Sequence, residues 1–204
     1  MAELTEFYSA RTDWRSAGEE RMRFRKATRL ARVFPGAAVL DIGARDGGLR
    51  RYLPADVRYQ GIDIAPEFAR PDVLIQDISK GIPFPDGSYD FAFIIEVLEH
   101  MLNPFGTLRE IHRVLRPTGV LIVSVPNPYH FKEILWNLFR IPDRQGHLYG
   151  WTRQTMTRLG EMVLLCPHHH WRVHEGGWQL RMSRASWIFA GSVSLKINVS
   201  GYGG

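Results

Sequence analysis

Five short strand-like runs punctuate the chain, at 37–42, 57–62, 73–76, 89–95 and 119–125. Each is bounded by glycine, proline or charge, as strands buried in a parallel sheet are. Segments of helical period separate or precede them. Ser16 to Phe34 places Ala27, Leu30, Ala31 and Phe34 at i, i+3, i+4 and i+7, and Pro35-Gly36 ends it. Gly47–Leu53 opens a first crossover helix, stopped by Pro54. Pro66 suits the first turn of a short helix. Asn103–Leu115 is helical, with Leu108, Ile111, Val114 and Leu115 on one side. Ile82-Pro-Phe-Pro-Asp-Gly87 is a rigid connector, because two prolines and a glycine do not fit a regular element. This alternation of strand and helix predicts an α/β fold, a doubly wound and mostly parallel sheet with helices on both faces.

Beyond Asn127 the pattern predicts a helix at Phe131–Phe139, a loop at Arg140–Trp151 and a helix at Thr152–Met162 with Thr152 as its N-cap. Ala185–Val199 alternates as one or two strands would. The 204 residues read as a single domain: an N-terminal helical segment at 1–36, a core at 37–127, and a loop, helices and C-terminal strands at 128–204.

Composition narrows the class. An apolar content of 45% supports a substantial core and excludes global disorder. No apolar stretch is long and charge-free enough to span a bilayer, and the polar N-terminus has no signal-peptide core. The single cysteine, Cys166, excludes an intramolecular disulfide and fits a reducing compartment, so a cytoplasmic location is expected. The net charge is +5, and the segment Arg11–Val33, with eight basic residues and three acids, carries an excess of the same size. A basic helix can contact nucleic acid. Its aromatic residues, Trp14 and Phe24, do not interleave with the basic ones as a base-stacking surface would need, so a solvated helix face is the expected reading.

The chemistry centres on Val39-Leu-Asp-Ile-Gly-Ala-Arg-Asp-Gly-Gly-Leu49, which reads as strand, glycine-bearing turn and helix. Such a turn brings backbone close to a ligand and aims a helix start at it. It also serves as a plain tight connection, and spacing alone does not separate the two. Asp63 decides, standing at the end of the next strand about 20 residues on, where a carboxylate accepts ribose hydroxyls. Asp41, Asp63, Asp77 and Glu96 all fall at strand ends, so four acids are expected on one rim.

The runs Asp41-Ile-Gly-Ala-Arg-Asp-Gly47, Gly61-Ile-Asp63-Ile, Gln76-Asp77-Ile78, Ile82–His100 and Leu108–Asn127 resemble the class I S-adenosylmethionine-dependent methyltransferases, in the broad type 11 small-molecule branch. The likeness covers Ala37 to Asn127 and implies a Rossmann-like fold. It also implies S-adenosyl-L-methionine as cofactor. Gly43, Ala44, Arg45 and Gly47 would lie under its methionine part, and Asp41 would help hold its ammonium. Asp63 would bind the ribose and Asp77 the adenine amino group. Ile78 would donate its amide and, with Ile64, pack the adenine faces. Ile95 and Glu96 would lie near the methionine end. Arg45 departs from the family, which has a second glycine there, and is expected to narrow the pocket, point outward or contact the cofactor carboxylate.

Methyl transfer is an in-line displacement in which the protein positions and desolvates, so no catalytic base is assigned. Glu96-Val-Leu-Glu99-His100 presents two carboxylates and an imidazole within one turn. It reads either as a divalent metal motif or as acids at a helix start, and without a fourth ligand no metal is assigned. His147 is a base, an acceptor contact or a backbone-bonded loop residue. His168-His169-His170 reads as a surface cluster. Phe7, Tyr8 and Trp14 read either as a cover for the pocket or as anchoring rings. The expected partner is a small-molecule acceptor. An RNA-modifying enzyme and a non-catalytic binding subunit are the alternatives, the first suggested by the basic helix and the acid–histidine motif, the second by Arg45 and the unfamiliar C-terminal segment.

Overall fold

The computed structural model describes residues 17–129, 134–135, 138–140, 147–152, 154–156, 180–182 and 192–198. Five strands, β1 (Ala38–Ile42), β2 (Arg58–Asp63), β3 (Val73–Ile75), β4 (Tyr89–Ile95) and β5 (Leu115–Pro126), pair in parallel. Two more, β6 (Leu180–Met182) and β7 (Ser192–Asn198), extend the sheet antiparallel to their neighbours. The order across the sheet is β3-β2-β1-β4-β5-β7-β6. The chain therefore winds outward from β1 in one direction and from β4 in the other. The crevice at the carboxyl ends of β1 and β4 is the switch point where such sheets bind ligands.

Alternate residues of each central strand enter different cores. Leu40 and Ile42 of β1, with Ala92 and Ile94 of β4, pack with Leu108, Ile111 and Val114 of the helix α2 (Pro104–Val114). Val39, Phe91 and Phe93 pack with Ala27 and Ala31 of the helix α1 (Ala17–Ala31). Period-two strands bury side chains on both faces only when both faces are covered. The helices thus lie on both faces, and the fold is the doubly wound α/β arrangement expected.

Several elements differ in detail. α1 ends at Ala31 rather than Phe34, because Arg32 adopts a left-handed conformation with φ 56°. Phe34, expected in the buried face, is 52% exposed and meets the Phe91 ring edge-on at 5.5 Å. The first crossover helix is a single 3-10 turn at Gly48–Tyr52. The few residues between Gly47 and Pro54 are too few to offset α-helix nucleation. α2 begins as the N-cap rule requires: the Gly106 amide donates to the Asn103 side chain at 2.9 Å, with Pro104 following. Leu115 belongs to β5, which starts four residues before the predicted Gly119.

Thr152 does cap a helical turn, accepting from the Thr155 amide at 3.2 Å, and residues 154–156 are helical. At Phe131–Phe139, residues 134, 135 and 138 are helical. The C-terminal alternation resolves as β7, while β6 lies before it. Phe7, Tyr8, Trp14, Cys166 and His168-His169-His170 lie outside the described residues.

Candidate functional site

A cavity of about 220 Å³ opens at the carboxyl ends of β1, β2 and β4, and Asp41, Asp63, Asp77 and Glu96 all line it. The four acids predicted for one rim therefore share one space. Asp41 is 4% exposed and accepts from the Tyr59 hydroxyl at 2.7 Å. Burial pushes its carboxyl up to about 7, the Tyr59 bond offsets part of this, and the nearby Asp63 and Asp46 charges add to it.

Asp63 is gripped by backbone. Its Oδ2 accepts from the Arg45 amide at 2.8 Å and its Oδ1 from the Ala65 amide at 3.0 Å. Burial raises its pKa, and the amides of Ala65, Arg45 and Ile64 with the Arg45 charge oppose the rise. A carboxylate has about four acceptor sites, so Asp63 is oriented and still has capacity for a donor from the cavity. Asp77 is half-buried and caps the 3-10 turn Ile78–Lys80, its Oδ1 accepting from the Ser79 amide and hydroxyl. Ile78, buried in that turn, and Ile64 line the same cavity.

The glycine turn supplies shape. The Gly43 and Ala44 amides both donate to the Ile62 carbonyl, at 2.8 and 3.0 Å, and the Gly47 amide donates to Ala44. With the Arg45 amide on Asp63, these donors serve the protein itself. What the turn offers a ligand is close approach. Gly43 has φ 72°, and a Cβ there would meet Val97 Cγ2 at 2.3 Å, so no other residue fits without displacing the rim.

Arg45 is held by its backbone and by a ring. It takes φ 48°, the conformation a glycine would supply, and its guanidinium lies over the Phe68 ring, 5.5 Å from the centroid. Arg45 and Phe68 both line the cavity. Glu96 also has a positive φ, 56°. Its Oε1 accepts from Ser124 at 2.7 Å, and its Oε2 lies 3.6 Å from Arg23 of α1. Ile95, just before it, lines the cavity as well.

The family model described as a methyltransferase domain matches residues 14–162. The chain belongs to the methyltransferase domain family. This methyltransferase domain is 32% identical over 130 residues to 2-methyl-6-phytyl-1,4-hydroquinone methyltransferase of Synechocystis, an alignment covering 58% of this chain and 41% of that protein. It is 25% identical over 181 residues to the ubiquinone/menaquinone biosynthesis C-methyltransferase of Hydrogenovibrio crunogenus, covering 78% of this chain and 71% of that one. The first two curated relatives are spanned over only 41% and 49% of their length. Among solved structures, the Burkholderia thailandensis 1,6-didemethyltoxoflavin-N1-methyltransferase superposes with a TM-score of 0.66 at 17% identity, covering 98% of this chain and 86% of that one. At that identity the likeness concerns the fold.

In this methyltransferase domain the structure brings all eleven expected binding residues to the cavity or the turn beneath it. Asp41, Gly43, Ala44, Arg45, Asp63, Ile64, Asp77, Ile78, Ile95 and Glu96 line it, and Gly47 closes the turn. Arg23, Phe24, Phe68, Gln76 and Met101 line it too, and sequence reasoning did not find them. Gln76 stands in the run Gln76-Asp77-Ile78 without having been given a role, and the other four come from segments whose local pattern carries no motif. Tyr59, the donor to Asp41, was equally hidden, since nothing in a strand tyrosine announces its cross-strand partner.

Proposed function

We propose that this methyltransferase domain binds S-adenosyl-L-methionine in the rim cavity and methylates a small-molecule acceptor. The observation that carries the reading is the convergence of Asp63 and Asp77 on one cavity floored by the Gly43–Gly47 turn. The donor set fits the cofactor: carboxylates for the ribose and the adenine amino group, buried isoleucines for the base, and a buried acid for the ammonium. Asp63 holds the ribose hydroxyls, with the Arg45 and Ala65 amides fixing its plane. Ile64 and Ile78 take the adenine faces, and Asp77 its amino group. Asp41, steadied by Tyr59, faces the ammonium, and Arg23 with Glu96 borders the methionine end. When bound, the cofactor supplies a methyl group activated on a sulfonium. The chain orients it, excludes water and leaves the acceptor side open.

Met101 and Leu102 add apolar surface to the cavity lining, and the Tyr149 hydroxyl lies 3.5 Å from the Leu102 carbonyl. Together with relatives named for a hydroquinone and for ubiquinone/menaquinone biosynthesis, this favours an apolar or aromatic acceptor. No helix among the described residues is long and apolar enough to cross a membrane, and the lone cysteine supports a cytoplasmic setting.

Calorimetry with S-adenosylhomocysteine tests the reading directly. Wild type is expected to bind, and Asp63→Ala to lose at least tenfold in affinity. Indifference of both proteins to the ligand overturns it. Transfer of labelled methyl to a pool of quinols and phenols then separates enzyme from binding subunit. The RNA-modifying alternative rests on exposed Arg21, Arg25, Lys26 and Arg29 of α1. Binding of RNA that falls steeply with salt supports it.

A further inference from the structure

Asp41 accepts from the Tyr59 hydroxyl through Oδ2, and the strand register explains the reach. Asp41 of β1 stands opposite Gly61 of β2, and Tyr59 lies two residues back on the same face. Gly61 places no side chain between them, so the Tyr59 ring crosses diagonally to the carboxylate. Burial, and then the Asp41 charge, push the Tyr59 pKa upward. The hydroxyl therefore keeps its proton and remains a donor.

Tyr59 is itself held. The Arg50 guanidinium lies over its ring, 5.9 Å from the centroid, and Arg50 Nη1 donates to Asp72 Oδ2 at 2.5 Å. Asp72 is tied to β2, because its carbonyl accepts from the Gly61 amide at 2.7 Å and from Gln60 Nε2 at 3.4 Å. Arg50 is tied to the glycine turn, its amide donating to the Gly47 carbonyl at 3.1 Å. A Cβ on Gly47 would stand 3.7 Å from the Tyr59 hydroxyl oxygen, so the turn packs against that oxygen.

We propose that Arg50 and Asp72 are positioning residues for cofactor binding: they hold the Tyr59 ring, whose hydroxyl fixes the Asp41 carboxylate at the cavity wall. An Arg–Asp pair with side chains 53% and 29% exposed ordinarily contributes little. This one differs because a single guanidinium serves two partners, a carboxylate through its N–H edge and a ring through its face. The cation over the ring polarises the hydroxyl and strengthens it as a donor to Asp41.

The charges around the pair agree with that role. Asp63 and Asp46 act on Asp41 from β2 and the glycine turn, and both favour its protonated form. Asp72 and Asp46 act on Tyr59, and Arg51 lies 3.5 Å from Asp46. The Tyr59 hydroxyl is the group that draws the Asp41 carboxyl toward its ionised form, and Arg50 lies on the ring that carries it. Without Arg50 the ring loses its support, the bond to Asp41 loosens and Asp41 keeps its proton to higher pH. A cationic ammonium then competes with a more tightly held proton. That ligand effect rests on the methyltransferase reading, whereas the hold on Asp41 does not.

Two readouts test this on the full chain. In the ligand-free protein, carbon-13 carboxyl NMR follows the titration of Asp41. Arg50→Ala should move it upward, in the same direction as Tyr59→Phe. Calorimetry then measures S-adenosylhomocysteine affinity against pH. Arg50→Ala should weaken binding about two- to fivefold near neutral pH and converge on wild type at alkaline pH. Asp72→Asn should produce a smaller change of the same sign, and Arg50→Lys should recover part of the loss at most. In a Tyr59→Phe background, Arg50→Ala should change neither readout, because the link to Asp41 is already cut. Urea midpoints check that each variant folds. A purely structural pair would lower the midpoint while leaving the Asp41 titration in place, and that result overturns the proposal. So does an undiminished effect of Arg50→Ala in the Tyr59→Phe background. If wild type ignores S-adenosylhomocysteine while Arg50→Ala still shifts the titration, the methyltransferase reading falls and the hold on Asp41 stands.

Discussion

Asp41 shows how one residue couples the fold to its ligand. Burial lifts its carboxyl to about 7, from an ordinary value of 3.8. The folded chain therefore holds a proton that the unfolded chain has released between those values. Asp41's contribution to stability is full below pH 3.8 and is lost as pH rises through about 7. Asp63 is raised too and acts in the same direction. Lowered Glu110, bonded to Arg113, acts in the opposite one. The unfolding midpoint of the ligand-free protein is expected to fall more between pH 5.5 and 8 in wild type than in Asp41→Asn, which thermal melts measure. A cationic ammonium beside Asp41 favours its ionised form, so binding expels the proton. Affinity for S-adenosylhomocysteine should then rise by up to about tenfold per pH unit below about 7. Calorimetry in buffers of different ionisation heat should register the released proton, and Asp41→Asn should flatten the profile. Tyr59→Phe removes the one bond that draws this carboxyl downward. It should move the affinity profile to higher pH and cost about 1–3 kcal/mol of stability, read by urea unfolding.

At the scale of elements, the rigid connector between β3 and β4 is held by a residue of α2. Arg113 Nη1 donates to the Phe84 carbonyl at 2.9 Å and Nη2 to the Ile82 carbonyl at 2.8 Å, and the same guanidinium bonds Glu110 and Asp86. Two connector carbonyls, one helix acid and one turn acid thus meet a single planar fork, which a lysine cannot reproduce. Both Arg113→Ala and Arg113→Lys should destabilise by about 1–2 kcal/mol, allowing for partial exposure, as a shifted urea midpoint. The connector itself was legible from Ile82-Pro-Phe-Pro-Asp-Gly87, and β4 was legible to the residue at Tyr89–Ile95, because local chemistry determines both. So were the four rim acids, since strand ends and acids are both local. Arg23 on Glu96, Tyr59 on Asp41 and His147 beside Glu99 were not legible. Each is a meeting of side chains from separate elements, and only the packing of α1, β2 or the loop at 147–152 decides it. The crossover at Gly48–Tyr52 shows the reverse failure, where a helical signal was real but too short to sustain a helix.

For the whole molecule, the cavity joins what the chain order separates. α1 contributes Arg23 and Phe24, β1 and β2 contribute Asp41 and Asp63, and the segment after β4 contributes Val97 and His100. β7 and β6 lie at one edge of the sheet, beyond β5. A ligand that binds only the folded chain should therefore stabilise the whole while ordering one rim. At a concentration of 100 times Kd, the stabilisation is about 2.7 kcal/mol, which for a chain of this size corresponds to a rise in Tm of about 5–10 °C. S-adenosylhomocysteine should produce that shift in wild type and a much smaller one in Asp63→Ala. Hydrogen exchange should then show where the ordering falls. Amides at 43–47, 63–65 and 77–79 should slow beyond the global effect, and those of β7 should slow only by it. Equal slowing everywhere would mean that the ligand acts through the sheet as a unit rather than through the rim. Slowing confined to β6 and β7 would move the binding site to the opposite edge of the fold.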